Sequence, residues 1–150
     1  MLQPGEPLPP FELHDEDDRP LSNTDLLGAW TLLFWFPKAN TPGCTAQAQG
    51  LSDQRDAFDQ LGCRILGVSF DEPDQLRSFR DDRGLRIRLA CDRSREAAVA
   101  MAAADSPETE FPRRIAYLLD DQLTIRACYE VGDPEFFAED VLDDLERLRD

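Results

Sequence analysis

The sequence holds one lysine, Lys38, and one histidine, His14, among 150 residues. Arginine does not make up the deficit: Lys and Arg together number 16 against 31 Asp and Glu, a formal net charge of −15. Nucleic-acid binding needs clustered cations on the phosphates, so no nucleic-acid partner is expected. The arginine-for-lysine bias fits a GC-rich genome or a high-salt habitat, and neither bears on function. No apolar run approaches the roughly 18 residues of a membrane span, so no membrane partner is expected. The opening MLQPGEPLPPFEL has no basic segment followed by an apolar one, and a cytoplasmic location is the expectation. The four cysteines, at 44, 63, 91 and 128, form no C-x-x-C and no Cys–His set with zinc spacing; neither a metal nor a cofactor is expected. His14 adjoins the acidic run Asp15–Asp18, but the run lacks the glycine and distal glutamate of a calcium loop and reads as a solvated hairpin turn.

What the chain does have is the stretch Trp30–Leu51, WTLLFWFPKANTPGCTAQAQGL. Trp30 to Phe36 is apolar except for Thr31, the composition of a strand buried on both faces. Pro37 stops it. In Thr41-Pro42-Gly43-Cys44 a preferred N-cap precedes a preferred first helical residue, which puts the cysteine about at the third helical position. Amides of a first helical turn have no intrahelical partners, and the positive end of a helix dipole favours a thiolate. Cys44 is therefore a candidate nucleophile.

The rest of the chain supplies a frame for it. Phe11–His14 and Arg19–Leu21 read as a hairpin, and Ser22–Asp25 as the cap of a brief helical turn. A helix is predicted over 45–61, with Ala48, Leu51, Phe58 and Leu61 on one face, Arg55 interrupting it and Gly62 ending it. Strands follow at 64–70 and 87–90, separated by a helix from Asp71-Glu72-Pro73 to Gly84 that turns Leu76 and Phe79 inward. Residues 93–103 are alanine-rich and helical, 106–111 a loop, 114–120 and 123–130 an antiparallel strand pair. Pro134 opens a last helix with Phe137, Val141, Leu145 and Leu148 as its apolar stripe. The order β-α-β-α-β-β-α within one domain, residues 1–150, predicts an α/β protein of thioredoxin-like fold, a central mixed sheet flanked by helices with an N-terminal β-hairpin extension. Ligands of such sheets bind beyond the carboxyl ends of the parallel strands, where Cys44 falls.

Pro37, Thr41 and Cys44 form the pattern P-x-x-x-T-x-x-C, and FPKANTPGCTAQAQGL resembles the peroxidatic segment of peroxiredoxins of the AhpC/TSA superfamily, specifically the bacterioferritin-comigratory-protein or PrxQ type. The resemblance extends to GVSFDEPDQLRSFRDDRGL and to Arg114–Asp120, which fits the family's R-x-T-F-L-I-D in the spacing of arginine to aspartate. It implies a thiol peroxidase, an antioxidant oxidoreductase of cell redox homeostasis, that reduces hydrogen peroxide and small organic hydroperoxides. Cys44 would become a sulfenic acid, with no bound cofactor.

Such chemistry needs an ionised sulfur, a group orienting the peroxide and positive charge for the leaving oxygen. Thr41 either sets its hydroxyl beside the sulfur and the attacked oxygen or caps the helix, and the two are compatible. Pro37 shields the site or simply ends the strand. The resemblance implies Arg114 as the cation, a guanidinium that stays charged and offers fixed donors. Arg113 would point to the opposite face of a strand. Lys38 is either a cation of the site or a solvated charge. In many PrxQ-type proteins a resolving cysteine stands five residues after the first; here that residue is Gln49. Cys63, Cys91 and Cys128 are expected as structural thiols, which leaves a one-cysteine cycle served by an external reductant: thioredoxin, glutaredoxin or a low-molecular-weight thiol. The chain is expected as a monomer or homodimer. A dithiol oxidoreductase is excluded because Thr41 occupies the first position of the C-x-x-C such an enzyme requires. A redox-inert binding protein of the same fold is the alternative that the missing second cysteine keeps open.

Overall fold

The computed structural model describes residues 1–149. Its sheet has seven strands, β1 (Glu12–Asp15), β2 (Pro20–Ser22), β3 (Trp30–Trp35), β4 (Cys63–Ser69), β5 (Arg88–Cys91), β6 (Ile115–Leu119) and β7 (Ile125–Glu130), in the order β2-β1-β5-β4-β3-β6-β7. At its centre β3 (Trp30–Trp35) runs parallel to β4 (Cys63–Ser69) and antiparallel to β6 (Ile115–Leu119). All six β3 residues are buried, because helices or chain segments cover both faces. Period-two alternation sends Leu32, Phe34 and Phe36 into one core with Leu51, Phe79, Val141 and Leu145. Leu33 and Trp35 enter the other, with Leu13, Ala98, Met101 and Ile125. Beyond β4, β5 (Arg88–Cys91) is parallel to it; beyond β6, β7 (Ile125–Glu130) is antiparallel and forms one edge of the sheet.

The connections are α1 (Pro42–Asp53) and α2 (Arg55–Gln60) after β3, α3 (Pro73–Arg83) after β4 and α4 (Glu96–Ala100) after β5. A 3-10 turn at Pro134–Phe136 leads into α5 (Phe137–Arg149). This is the thioredoxin-like arrangement that the element order predicts. Gly84, at φ +60, closes α3 in the left-handed conformation that glycine adopts without a Cβ penalty.

Two helices are shorter than the sequence suggests. The single helix expected over 45–61 is broken at Gln54. Arg55 stands one turn beyond buried Leu51, and the break turns that guanidinium outward to Asp59 while Phe58 stays fully buried. The helix expected over 93–103 is cut to α4 because Asp92 holds a capping turn. Its Oδ2 accepts from Ala98 N–H at 2.8 Å, Arg95 lies at φ +65, and Ala102 at φ +62 ends the segment.

The N-terminal hairpin is β1 (Glu12–Asp15) and β2 (Pro20–Ser22), and β1 extends the sheet by pairing antiparallel to β5, His14 opposite Cys91. The acidic turn is solvated only in part, as expected at Asp17 and Asp18, which are exposed, but not at the two residues before them. Asp15 and Glu16 are buried, Asp15 paired with Arg88 at 3.2 Å and Glu16 Oε2 accepting from Leu89 N–H at 3.0 Å. Carboxylates that leave water need such donors, and here they dock the hairpin onto the edge of β5.

Candidate active site

Beyond the carboxyl ends of β3 and β4, residues 37–41 form an irregular loop that delivers the chain into α1. Pro37 is half-buried at its start and Lys38 is exposed, its Nζ 6.0 Å from the centre of the Phe111 ring. Asn40 takes φ +64. Thr41 is the N-cap residue by backbone geometry, and the first helical hydrogen bond runs from Thr45 N–H to Thr41 C=O at 2.8 Å. Its hydroxyl makes no capping bond. Oγ1 instead donates backward to Lys38 C=O at 2.7 Å, so its proton is committed to the loop while its lone pairs remain available. The amides of Gly43 and Cys44 precede the first intrahelical bond and belong to the electropositive end of α1.

Cys44 is the third residue of α1 and is 1% exposed. Arg114 reaches it from the residue before β6: Nη2 lies 3.2 Å from Sγ, and Nη1 donates to Gln47 Oε1 at 2.7 Å. Arg114 is half-buried, and its backbone carbonyl accepts from Val131 N–H at 3.0 Å. Its neighbour Arg113 is turned away, donating to Ala102 C=O and paired with Asp105. The backbone geometry that separates the two is the alternation of an extended segment entering β6. Gly43 makes room for the cation, since a Cβ there would stand 3.1 Å from Arg114 Nη2. Arg114 and Cys44 thus meet at the head of α1, Thr41 supplies the backbone N-cap of that helix, and Pro37 begins the loop that leads to it.

Gln47 is the participant that the sequence reading missed. It is 1% exposed, and its Nε2 has no hydrogen-bond partner. The available signal was its spacing: Gln47 follows Cys44 by three and adjoins Ala48 on the inward face of α1, where a polar side chain needs a partner.

The other thiols lie apart from Cys44. Cys63 opens β4 opposite Trp30, the far end of β3 from the site; six strand residues span about 20 Å. Cys91 ends β5, two strands from β3 and about 10 Å away by strand spacing alone. Both are buried, and desolvation pushes each thiol up to about 12. Cys128 is half-buried on β7 and packs against the core of the opposite sheet face. All four cysteines are free. Gln49 is exposed.

A groove of about 740 Å³ between the hairpin and α4 is lined by Phe11, His14, Asn23, Arg93 and Ala97, among others, and contains none of these site residues. Among the described residues no group of three or more His, Cys, Asp or Glu side chains is placed to hold a metal ion, and no helix is long and apolar enough to cross a membrane.

Residues 4–128 match the family model described as the AhpC/TSA family. A Mycobacterium tuberculosis relative is 38% identical over 102 residues, covering 68% of this chain and 65% of the relative. The protein named peroxiredoxin Bcp of Escherichia coli K12 is 40% identical over 91 residues, 61% of this chain and 58% of that one. These matches therefore span less than two thirds of the length of either relative. The crystal structure of peroxidoxin BcpB from Mycobacterium tuberculosis superposes with a TM-score of 0.92 at 22% identity, covering the whole of both chains, a likeness of fold.

Proposed function

The chain belongs to the AhpC/TSA family, and from that premise we propose that it is a thiol peroxidase working through Cys44. The observation that carries the reading is the Arg114 guanidinium 3.2 Å from Sγ at the amino end of α1. There a fixed positive charge and unpaired amides face a sulfur that must become anionic to react.

In the proposed reaction the Cys44 thiolate attacks one oxygen of the peroxide. An S–O bond forms, the O–O bond breaks, and the departing oxygen leaves as water or an alcohol after taking a proton. Cys44 becomes a sulfenic acid. Arg114 stabilises the sulfur before attack and an oxygen during it. Thr41 Oγ1, its own proton given to Lys38 C=O, can accept from the peroxide OH and aim the other oxygen at Sγ. Pro37 shapes the loop that limits water access. Hydrogen peroxide and small organic hydroperoxides suit a sulfur buried this deeply.

For the second half of the cycle we favour a one-cysteine course. Bridging needs Cα atoms within about 7 Å, and Cys63 and Cys91 are displaced along and across the sheet, with thiols held protonated by burial. Cys128 is on the other face. An external thiol, from thioredoxin, glutaredoxin or a small molecule of a reducing cytoplasm, would attack the sulfenic sulfur and expel water. A second thiol then releases Cys44 from the mixed disulfide.

The test is to treat the reduced protein with one equivalent of hydrogen peroxide, trap sulfenic acid and locate it by mass spectrometry. Trapping at Cys44, faster than at a free thiol, supports the reading. Oxidation no faster than free cysteine returns the chain to a redox-inert binding protein. An internal disulfide from Cys44 in the untrapped arm would replace the one-cysteine course with a two-cysteine one.

A further inference from the structure

The Lys38–Ala39 peptide unit is gripped from both edges. On one edge Ala39 N–H donates to Asp71 Oδ2 at 2.8 Å; on the other Lys38 C=O accepts the hydroxyl proton of Thr41 at 2.7 Å. Asp71 lies just past β4, 8% exposed, and is itself fixed by Ser69, whose Oγ donates to the same Oδ2 at 2.7 Å and accepts Asp71 N–H at 3.2 Å. A carboxylate so far removed from water is kept where its donors are, and each of these donors orients it toward the loop.

We propose that Asp71 is the positioning residue for Thr41, acting through the Lys38–Ala39 peptide. A trans peptide is planar, with its N–H and C=O on opposite edges, so fixing the N–H on Asp71 fixes the direction of the carbonyl. That carbonyl is the acceptor that holds the Thr41 hydroxyl proton. The chain of bonds is also polar in one sense: an anion accepting from N–H enriches the carbonyl oxygen and strengthens its grip on the hydroxyl. Thr41 is left with its lone pairs directed away from the loop. Asp71 thereby sets the donor–acceptor sense of a hydroxyl it does not touch, from its place just past the neighbouring strand.

The inference rests on Thr41 assisting peroxide reduction as proposed above. It requires that the effect of Asp71 pass through Thr41, which a double-mutant cycle reads directly. Wild type, Thr41→Val, Asp71→Ala, Asp71→Asn and the two double variants are reduced and mixed with hydrogen peroxide, and the second-order rate of Cys44 oxidation is followed. Asp71→Ala is expected to slow oxidation about tenfold, and Asp71→Asn, which keeps the acceptor without the charge, about threefold. Neither should slow the Thr41→Val protein by more than about twofold. Alkylation of Cys44 by iodoacetamide, which uses no peroxide hydroxyl, should remain within about twofold throughout.

Equal losses in the wild-type and Thr41→Val backgrounds overturn the inference, as does a fast wild type with an unchanged Asp71→Ala rate. If Asp71→Ala fails to fold, the Asp71→Asn arm of the cycle decides alone by the same criterion. A wild type no faster than free cysteine is a different failure, since it removes the peroxidase reading and with it the role of Thr41.

Discussion

Gln47 Oε1 holds Nη1 of Arg114 at 2.7 Å across 67 positions of sequence, so that the same guanidinium presents Nη2 to Cys44 Sγ. A planar cation anchored at one terminal nitrogen has its other one aimed. Truncating the anchor should cost reactivity without removing the charge. Gln47→Ala is expected to lower the rate of Cys44 oxidation about tenfold, and Gln47→Glu, which keeps an acceptor, by less. Arg114→Ala should lose about a hundredfold or more, and Arg114→Lys should recover only part, because an ammonium cannot bridge both partners. Stopped-flow oxidation of the reduced variants measures this; equal rates for wild type and Gln47→Ala would refute the anchoring role.

Gly43 offers a steric counterpart to that charge argument. A Cβ at this position would stand 3.1 Å from Arg114 Nη2 and 3.7 Å from Cζ. Gly43→Ala therefore displaces the guanidinium by a few tenths of an ångström while removing no polar group. Peroxide reactivity should fall severalfold with a thermal midpoint within about 3 °C of wild type, since alanine also favours the helix. A variant with unchanged reactivity would show that the cation need not sit where it does.

These two residues mark what could be read from the sequence and what could not. Strand β3 was legible because apolar residues fill both of its faces, and the head of α1 because Thr41, Pro42 and Cys44 carry local signals. The end of the 45–61 helix was not, since a break at Gln54 that rescues Arg55 depends on what the next turn packs against. Local sequence likewise presented Asp15 and Glu16 as a solvated turn, whereas β5, some 73 positions later, supplies the N–H and guanidinium that bury them. Gln47 and Asp71 belong to the same class: their roles are set by partners 67 and 32 positions away. Helical spacing places a side chain such as Gln47 on an inward face, but a partner distant in sequence is assigned only by the fold.

The buried thiols predict how stability depends on pH. Desolvation raises Cys63 and Cys91 from 9.0 to about 12. A folded-state value above the unfolded one means that the native state retains protons which the unfolded chain releases. The contribution is complete below pH 9 and is lost as pH rises through about 12. Each thiol adds at most about 1.4 kcal/mol of destabilisation per pH unit in that window. Denaturant midpoints at pH 8, 9.5 and 10.5 should fall more steeply for wild type than for Cys63→Ala or Cys91→Ala. Parallel slopes would mean that neither thiol is held protonated by the fold.

Gly67 tests the packing that places the site. It lies opposite Phe34 across the β3–β4 pair, and a Cβ would meet the Phe34 ring at 2.5 Å and Leu89 Cδ2 at 3.1 Å. Neither neighbour is a flexible surface chain; Phe34 and Leu89 are both fully buried in the core beneath α1 and α3. Gly67→Ala must displace the ring, whose neighbour Phe36, with its centroid 5.7 Å away, leads directly into Pro37 and the loop that carries Thr41. Overpacking of this kind costs about 1–3 kcal/mol, with the lower figure expected if the strain is relieved by moving the loop. The two routes separate experimentally. A large loss of stability with normal Cys44 reactivity places the strain in the sheet, whereas a small loss with slowed oxidation places it in residues 37–41. A variant unchanged in both would contradict the close approach of Phe34 to the Gly67 backbone.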